Sequence, residues 1–175
     1  MDGYVIAHDV GTSSVKTALI SDQGKVIAHA TSAYEFSYPK PGWVEQNPED
    51  YWSGSVKNTR EILQKNHIDL KLLKGIVFST QAMGIIPLDA QDKLLNHNIT
   101  WVDGRAEEQA RWLMNLLGGK RVFEKMIGVE ITGKDVIPKL RWLKENDTYR
   151  WNRIEDFHKG RRNEMSKKVQ KVRDE

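Results

Sequence analysis

The sequence predicts an α/β domain with a mixed sheet, opening on an antiparallel β-meander and continuing into flanking helices. Three observations carry this expectation. Short apolar stretches between Tyr4 and Thr31 are separated by two turn-prone tetrapeptides, the pattern of strands joined by tight connections. A well-marked helix start lies at Asn47. A buried-type strand at Lys74–Ser79 follows, and helical periodicity returns after residue 103.

The first strand is Tyr4-Val5-Ile6-Ala7, ending at His8-Asp9 before Gly11-Thr12-Ser13-Ser14. Val15 to Ile20 forms the second, with Val15, Thr17 and Leu19 on one face. Asp22-Gln23-Gly24-Lys25 turns the chain into a third strand, Val26 to Thr31. Pro39-Lys40-Pro41-Gly42 interrupts regular structure, because proline fixes φ and removes a donor. Asn47 then suits an N-cap, Pro48 the first helical position, and Glu49 and Asp50 the positive helix end, predicting a helix to about Lys65. A further strand is expected at Ile85-Ile86-Pro87-Leu88-Asp89, turning at Ala90-Gln91-Asp92-Lys93. Asp103 to Leu117 reads as a helix with Ala106, Ala110, Leu113 and Leu117 on its apolar face, stopped by Gly118-Gly119. Arg121–Ile127 and Pro138–Glu145 are shorter helices by the same reasoning.

A chain of 175 residues is long enough for one domain with a sizeable core. From Arg150 onward there are nine Lys or Arg against five Asp or Glu, so the net +3 of the whole chain describes its tail. A basic tail can attract nucleic acid or anionic membrane, but a solvated end is the ordinary reading, so neither partner is expected. The absence of cysteine excludes disulfide scaffolds, thiolate metal sites and thiol nucleophiles. No basic, apolar leader opens the chain, and no apolar run approaches the roughly 18–20 residues that span a bilayer, so a cytoplasmic protein is expected.

Chemistry concentrates first at Asp9-Val10-Gly11-Thr12-Ser13-Ser14-Val15-Lys16. A carboxylate at a strand end can hold a cation, and a Gly-Thr-Ser turn can offer N–H groups and hydroxyls to phosphate oxygens. By itself the segment also fits an ordinary hairpin turn with a capping Asp. It is not a Walker loop, having no Gly-Lys-Ser/Thr end and no helix directly after it.

Taken with the strands around it, this segment resembles the phosphate-binding hairpin of the actin, hexokinase and sugar-kinase superfamily. Pro41-Gly42-Trp43-Val44-Glu45-Gln46-Asn47-Pro48-Glu49-Asp50-Tyr51-Trp52 resembles the Pro-Gly-Trp-x-Glu-Gln-x-Pro-x-x-x-Trp stretch of FGGY carbohydrate kinases. Further resemblances to that family follow in order: Gly75–Gln81, Pro87–Asp89, Ile99–Ala106 and Lys139–Asn146. The likeness is to the xylulokinase-like branch. It implies an RNase H-like core of the actin/hexokinase type, with ATP and Mg²⁺ as cofactors and a small sugar as substrate. On this resemblance Asp9 serves metal and phosphate, Gly11, Thr12 and Ser13 face the transferred phosphate, Gln81, Ala82 and Met83 form the sugar-touching loop, and Asp103 and Arg105 line the same cleft. Read from the residues alone, Gln81 equally suits bridging strand ends, and Asp103–Arg105 suits a helix cap beside a surface charge.

Three features depart from the family pattern. Ala82-Met83 stands where xylulokinases commonly carry Met-His, which removes a polar sugar contact. His8 precedes Asp9, where a small or apolar residue is usual, and a packed, hydrogen-bonded histidine is the favoured reading. The family's general base, an Asp in a Gly-Gly-x-x-Asp motif of a second domain, has no counterpart in the sequence, so the catalytic residue is unknown. The expectation is a truncated N-terminal kinase domain over residues 1–146 and a divergent basic tail over 147–175, helical or disordered. The resemblance implies ATP-dependent phosphorylation of a sugar hydroxyl, with the isolated chain expected to be inactive; the alternatives are a non-catalytic sugar-binding or regulatory remnant and the first half of a split kinase with a separate C-terminal domain.

Overall fold

The computed structural model describes residues 3–116, 118, 119, 125, 128 and 130–154. The helix expected at Arg121–Ile127 and the tail beyond Ile154 lie outside these residues, as does Leu117. The chain divides into two compact units, residues 1–37 with 46–82, and residues 38–45 with the remainder.

In the first unit, β1 (Tyr4–Val10), β2 (Ser14–Ser21) and β3 (Val26–Ala33) form the expected meander, and β5 (Leu73–Thr80) pairs parallel to β1. The sheet order β3-β2-β1-β5 makes it mixed. The alternation read from β2 holds, with Val15, Thr17 and Leu19 buried on one face. Helix α1 (Pro48–Lys65) covers that face. Its start is built as the sequence predicts: Asn47 Oδ1 accepts the Glu49 N–H at 3.2 Å, and Pro48 opens the first turn. Ile62 packs on Ile6, Leu19 and Ala30, while Val10, Val15 and Tyr34 form a second apolar cluster with Tyr51 and Phe78. The helix comes close to the sheet at Gly54, where a Cβ would meet Val15 Cγ1 at 2.8 Å and Ser32 Cβ at 3.2 Å. Asn58, fully buried, ties α1 to the meander by donating to Val15 O at 3.1 Å and accepting from Ser32 Oγ at 2.7 Å.

His8 is the packed histidine its setting suggested. Its Nδ1 lies 2.9 Å from Thr17 Oγ1, its Nε2 3.4 Å from Thr59 Oγ1, and its ring stacks on Phe78 at 4.7 Å. Burial pushes its pKa down to about 4, so the ring is neutral near pH 7.

The second unit contains β6 (Asn98–Ile99) and helices α2 (Glu107–Leu116), α3 (Val136–Asn146) and α4 (Thr148–Trp151). The two-residue strand β4 (Glu45–Gln46) lies where the two units meet in sequence. Ile85, Ile99 and Leu143 form the core, with Leu140, Trp142, Trp151 and Ile154 packed on it. Two expectations change here. Ile85–Asp89 is not a continuous strand: it pairs only at isolated bridges, Ile85 with Ile99 and Leu88 with Leu94, since Pro87 between them has no N–H to donate. Its turn forms as expected, with Asp89 Oδ1 accepting from the N–H groups of Gln91 and Lys93. Helix α2 starts at Glu107, four residues after Asp103, whose Oδ1 accepts the Arg105 N–H and whose Oδ2 accepts the Val44 N–H. Gln109, Ala110 and Met114 are its buried residues, Ala106 is buried just before it, and the positive-φ glycines Gly118 and Gly119 follow its end.

Candidate functional site

The phosphate-type turn belongs to the first unit. Asp9 points away from the core face that holds His8 and Val10, and it is exposed, opposite exposed Lys16 in the β1–β2 register. In the turn that follows, all three carbonyls are engaged from behind. Gly11 O accepts the Tyr34 hydroxyl, Thr12 O accepts Gln46 Nε2 at 2.7 Å, and Ser13 O accepts the Tyr34 N–H at 3.1 Å. Burial and the adjacent Tyr51 raise the Tyr34 pKa, so its phenol stays protonated and remains a donor. With its three carbonyls engaged and the Gly11 N–H bonded to Ser14 O at 3.1 Å, the turn is held from within as well as from behind, and Ser13 is exposed.

Gln46, only 1% exposed, is the hub behind this turn. Its Oε1 accepts from the Tyr51 hydroxyl at 2.8 Å and from Gln81 Nε2 at 3.3 Å. Gln81 also donates its backbone N–H to Val10 O at 3.0 Å and its Nε2 to the Tyr51 oxygen at 3.2 Å. Its side-chain Oε1 is buried with no hydrogen-bond partner among the described residues. The structure thus joins Gln81 to the Gly11–Ser13 turn through one amide side chain. Ala82, next to it, is exposed.

The second unit holds the other expected site residues. Met83 is 43% exposed and adopts φ +59°. Asp103 is fully buried: Oδ2 accepts from the Val44 N–H at 2.6 Å and from Arg105 Nη2 at 2.8 Å, and Oδ1 from the Arg105 N–H at 3.0 Å and Nε at 2.9 Å. The Arg105 side chain is equally hidden, bonds Glu45 Oε1 at 2.7 Å, and lies 3.9 Å from the Trp43 ring and 5.1 Å from that of Trp142. This is no cap beside a surface charge. It is a closed ion-pair cluster in which Asp103 makes four hydrogen bonds. A concavity of about 300 Å³ lies beside it, lined by Lys40, Trp43, Asn96, Arg105 and Arg150 among others.

Several of these supporting groups were not singled out from sequence. Glu45, Gln46 and Tyr51 stand inside the Pro-Gly-Trp-x-Glu-Gln stretch, which was their available signal. Tyr34 had none, since its two bonds to the turn depend on the register of β3.

Comparison with known proteins shows the family to which this fold, with its acid-tipped strand and pinned Gly-Thr-Ser turn, belongs. Residues 4–161 match the N-terminal domain of the FGGY family of carbohydrate kinases, and the chain belongs to that family. Over 149 residues it is 32% identical to the xylulose kinase of Bacillus subtilis, covering 82% of this chain and 28% of that protein. The gluconokinase of Bacillus licheniformis is 32% identical over 143 residues, 82% of this chain and 27% of that one. The crystal structure of a ligand-bound xylulose kinase from Lactobacillus acidophilus superposes with TM-score 0.76 at 27% identity, over 88% of this chain and 31% of the other. The gluconate kinase of the same organism gives 0.77 at 28% identity, over 88% and 30%. The chain therefore spans about a third or less of the relatives it matches.

The described residues include no cluster of three or more His, Asp or Glu able to hold a metal ion. Asp9, exposed at the end of β1, can supply one carboxylate ligand to a cation.

Proposed function

We propose that this chain provides the phosphate-binding turn and sugar-facing loop of an ATP-dependent carbohydrate kinase of the xylulokinase-like branch, acting on a sugar hydroxyl. The observation that supports the reading is the turn whose three carbonyls are each held from behind, beside exposed Asp9 and Ser13. ATP supplies the phosphoryl group, and phosphoryl transfer depends mainly on positioning and charge neutralisation. In this reading Gly11, Thr12 and Ser13 hold phosphate oxygens, Lys16 adds positive charge nearby, and Asp9 orients a phosphate-bound Mg²⁺ as a single carboxylate. Gln81, Ala82 and Met83 face the sugar. Asp103 and Arg105 serve it through the wall they stiffen, because their own polar atoms are taken.

Catalysis also needs a proton acceptor for the sugar hydroxyl, and the Gly-Gly-x-x-Asp motif that the family resemblance leads one to expect for it has no counterpart in this sequence. The purified chain with ATP, Mg²⁺ and a panel of pentoses, polyols and gluconate is expected to give no sugar phosphate. Turnover above background that Asp9→Ala abolishes would show that these residues suffice. A carbohydrate-binding remnant without catalysis is the alternative, and the loss of the polar Met-His pair at Ala82-Met83 favours keeping it in view.

A further inference from the structure

Lys139 is the largest fully buried side chain among the described residues. Its ammonium, on the first turns of α3, donates to three main-chain carbonyls: Lys134 O at 2.5 Å, Thr100 O at 2.7 Å and Met83 O at 3.3 Å. Hiding a cation this way is expensive, and a methionine would fill the same volume without the penalty. What only the ammonium provides is three donors aimed at three separate segments. One is the loop of Met83. Another is the turn after Ile99, which carries Trp101 and leads to Asp103. The last is the Thr132–Asp135 turn that opens α3. Met83 is a non-glycine residue at φ +59°, a conformation that persists only where the surroundings hold it.

We propose that Lys139 is a positioning residue, whose three-pronged ammonium fixes the Met83 loop and the Thr100–Asp103 turn relative to each other and so shapes the face the sugar meets. The inference rests on the reading of Met83 as sugar-facing. Asp103 and Asp135 surround the ammonium with negative charge, Arg105 and Lys134 with positive, and burial outweighs them all, bringing the Lys139 pKa down to about 8. A neutral amine has two N–H donors where the ammonium has three. The bond to Met83 O, the longest, is the one that lapses.

The test follows the carbonyl ¹³C resonances of Met83, Thr100 and Lys134 in the full chain from pH 7 to 9.5. The Met83 resonance is expected to shift with a midpoint near 8. Lys139→Arg keeps its charge across this range, so its Met83 resonance stays flat; Lys139→Met starts at pH 7 near the wild type's high-pH position. A flat wild-type Met83 resonance, or the same midpoint in Lys139→Arg, overturns the proposal, and neither result needs the methionine variant to fold. Xylulose titrations separate this from the carbohydrate reading. Affinity at Met83 is expected to fall about tenfold between pH 7 and 9 in wild type and to hold in Lys139→Arg. A Met83 midpoint with no sugar-dependent shift at any pH leaves the three-segment clamp standing and removes the sugar from it.

Discussion

His8 shows how one side chain sets a pH limit on the domain without touching the chemistry. Its folded pKa, about 4, lies below the ordinary 6.5 because burial disfavours the imidazolium. Between these values the unfolded chain takes up a proton that the folded chain refuses, so stability is complete above pH 6.5 and falls as the pH drops toward 4. The loss is roughly 3 kcal/mol, from the size of the shift. Urea denaturation at pH 7, 5.5 and 4.5 checks this, and His8→Gln should flatten the slope. An unchanged slope in that variant would mean other groups govern the acid limb. Glutamine keeps a polar group toward Thr17 and Thr59, which limits the damage of the substitution itself.

At the scale of elements, the seat of α1 on the meander is the most constrained contact in the first unit. Alanine is the better helix former at Gly54 by about 1 kcal/mol. Its Cβ would nevertheless sit 2.8 Å from Val15 Cγ1 on a rigid strand, and overpacking of that kind costs about 1–3 kcal/mol. Gly54→Ala should therefore destabilise by about 1 kcal/mol net, and adding Val15→Ala should return part of the helix gain. Equilibrium unfolding of the single and double variants decides it; a stabilised Gly54→Ala would show that α1 can lift off the sheet at no cost. The same scale explains what could be read in advance. The meander and the start of α1 are coded locally, by alternation at Val15–Leu19 and by Asn47-Pro48-Glu49, so they were legible. Ile85–Asp89 carried a strand's composition, but one proline broke its ladder. Asp103 bonds Val44, 59 residues away in sequence, and no local pattern encodes that contact. Lys139 read as one more helix lysine, a type that almost always faces water, and only the folded chain reveals it as internal.

For the whole molecule, belonging to the FGGY family settles the kind of protein, while the relatives include kinases named for xylulose, gluconate and glycerol. The substrate must come from the chain's own residues. If the sugar-facing groups are Gln81, Ala82 and Met83, the last two exposed, the isolated chain offers a ligand an open surface. Binding should be no tighter than about millimolar, with ketopentoses only slightly preferred. Titration with xylulose, ribulose and glycerol checks this by NMR; micromolar affinity would mean these residues close around a sugar unaided. Among the described residues no helix is long and apolar enough to cross a membrane.

Tyr34 grips the Gly-Thr-Ser turn at both ends, with its hydroxyl on Gly11 and its N–H on Ser13, while Gln46 holds the middle. The loss of conformational freedom that a loose loop would suffer on meeting an anion has thus already occurred when the chain folds. If phosphate seats on this turn as proposed, its association carries little ordering cost for the loop. Removing the Tyr34 hydroxyl would then hand that entropic cost back to the binding step, weakening recognition from outside the turn itself.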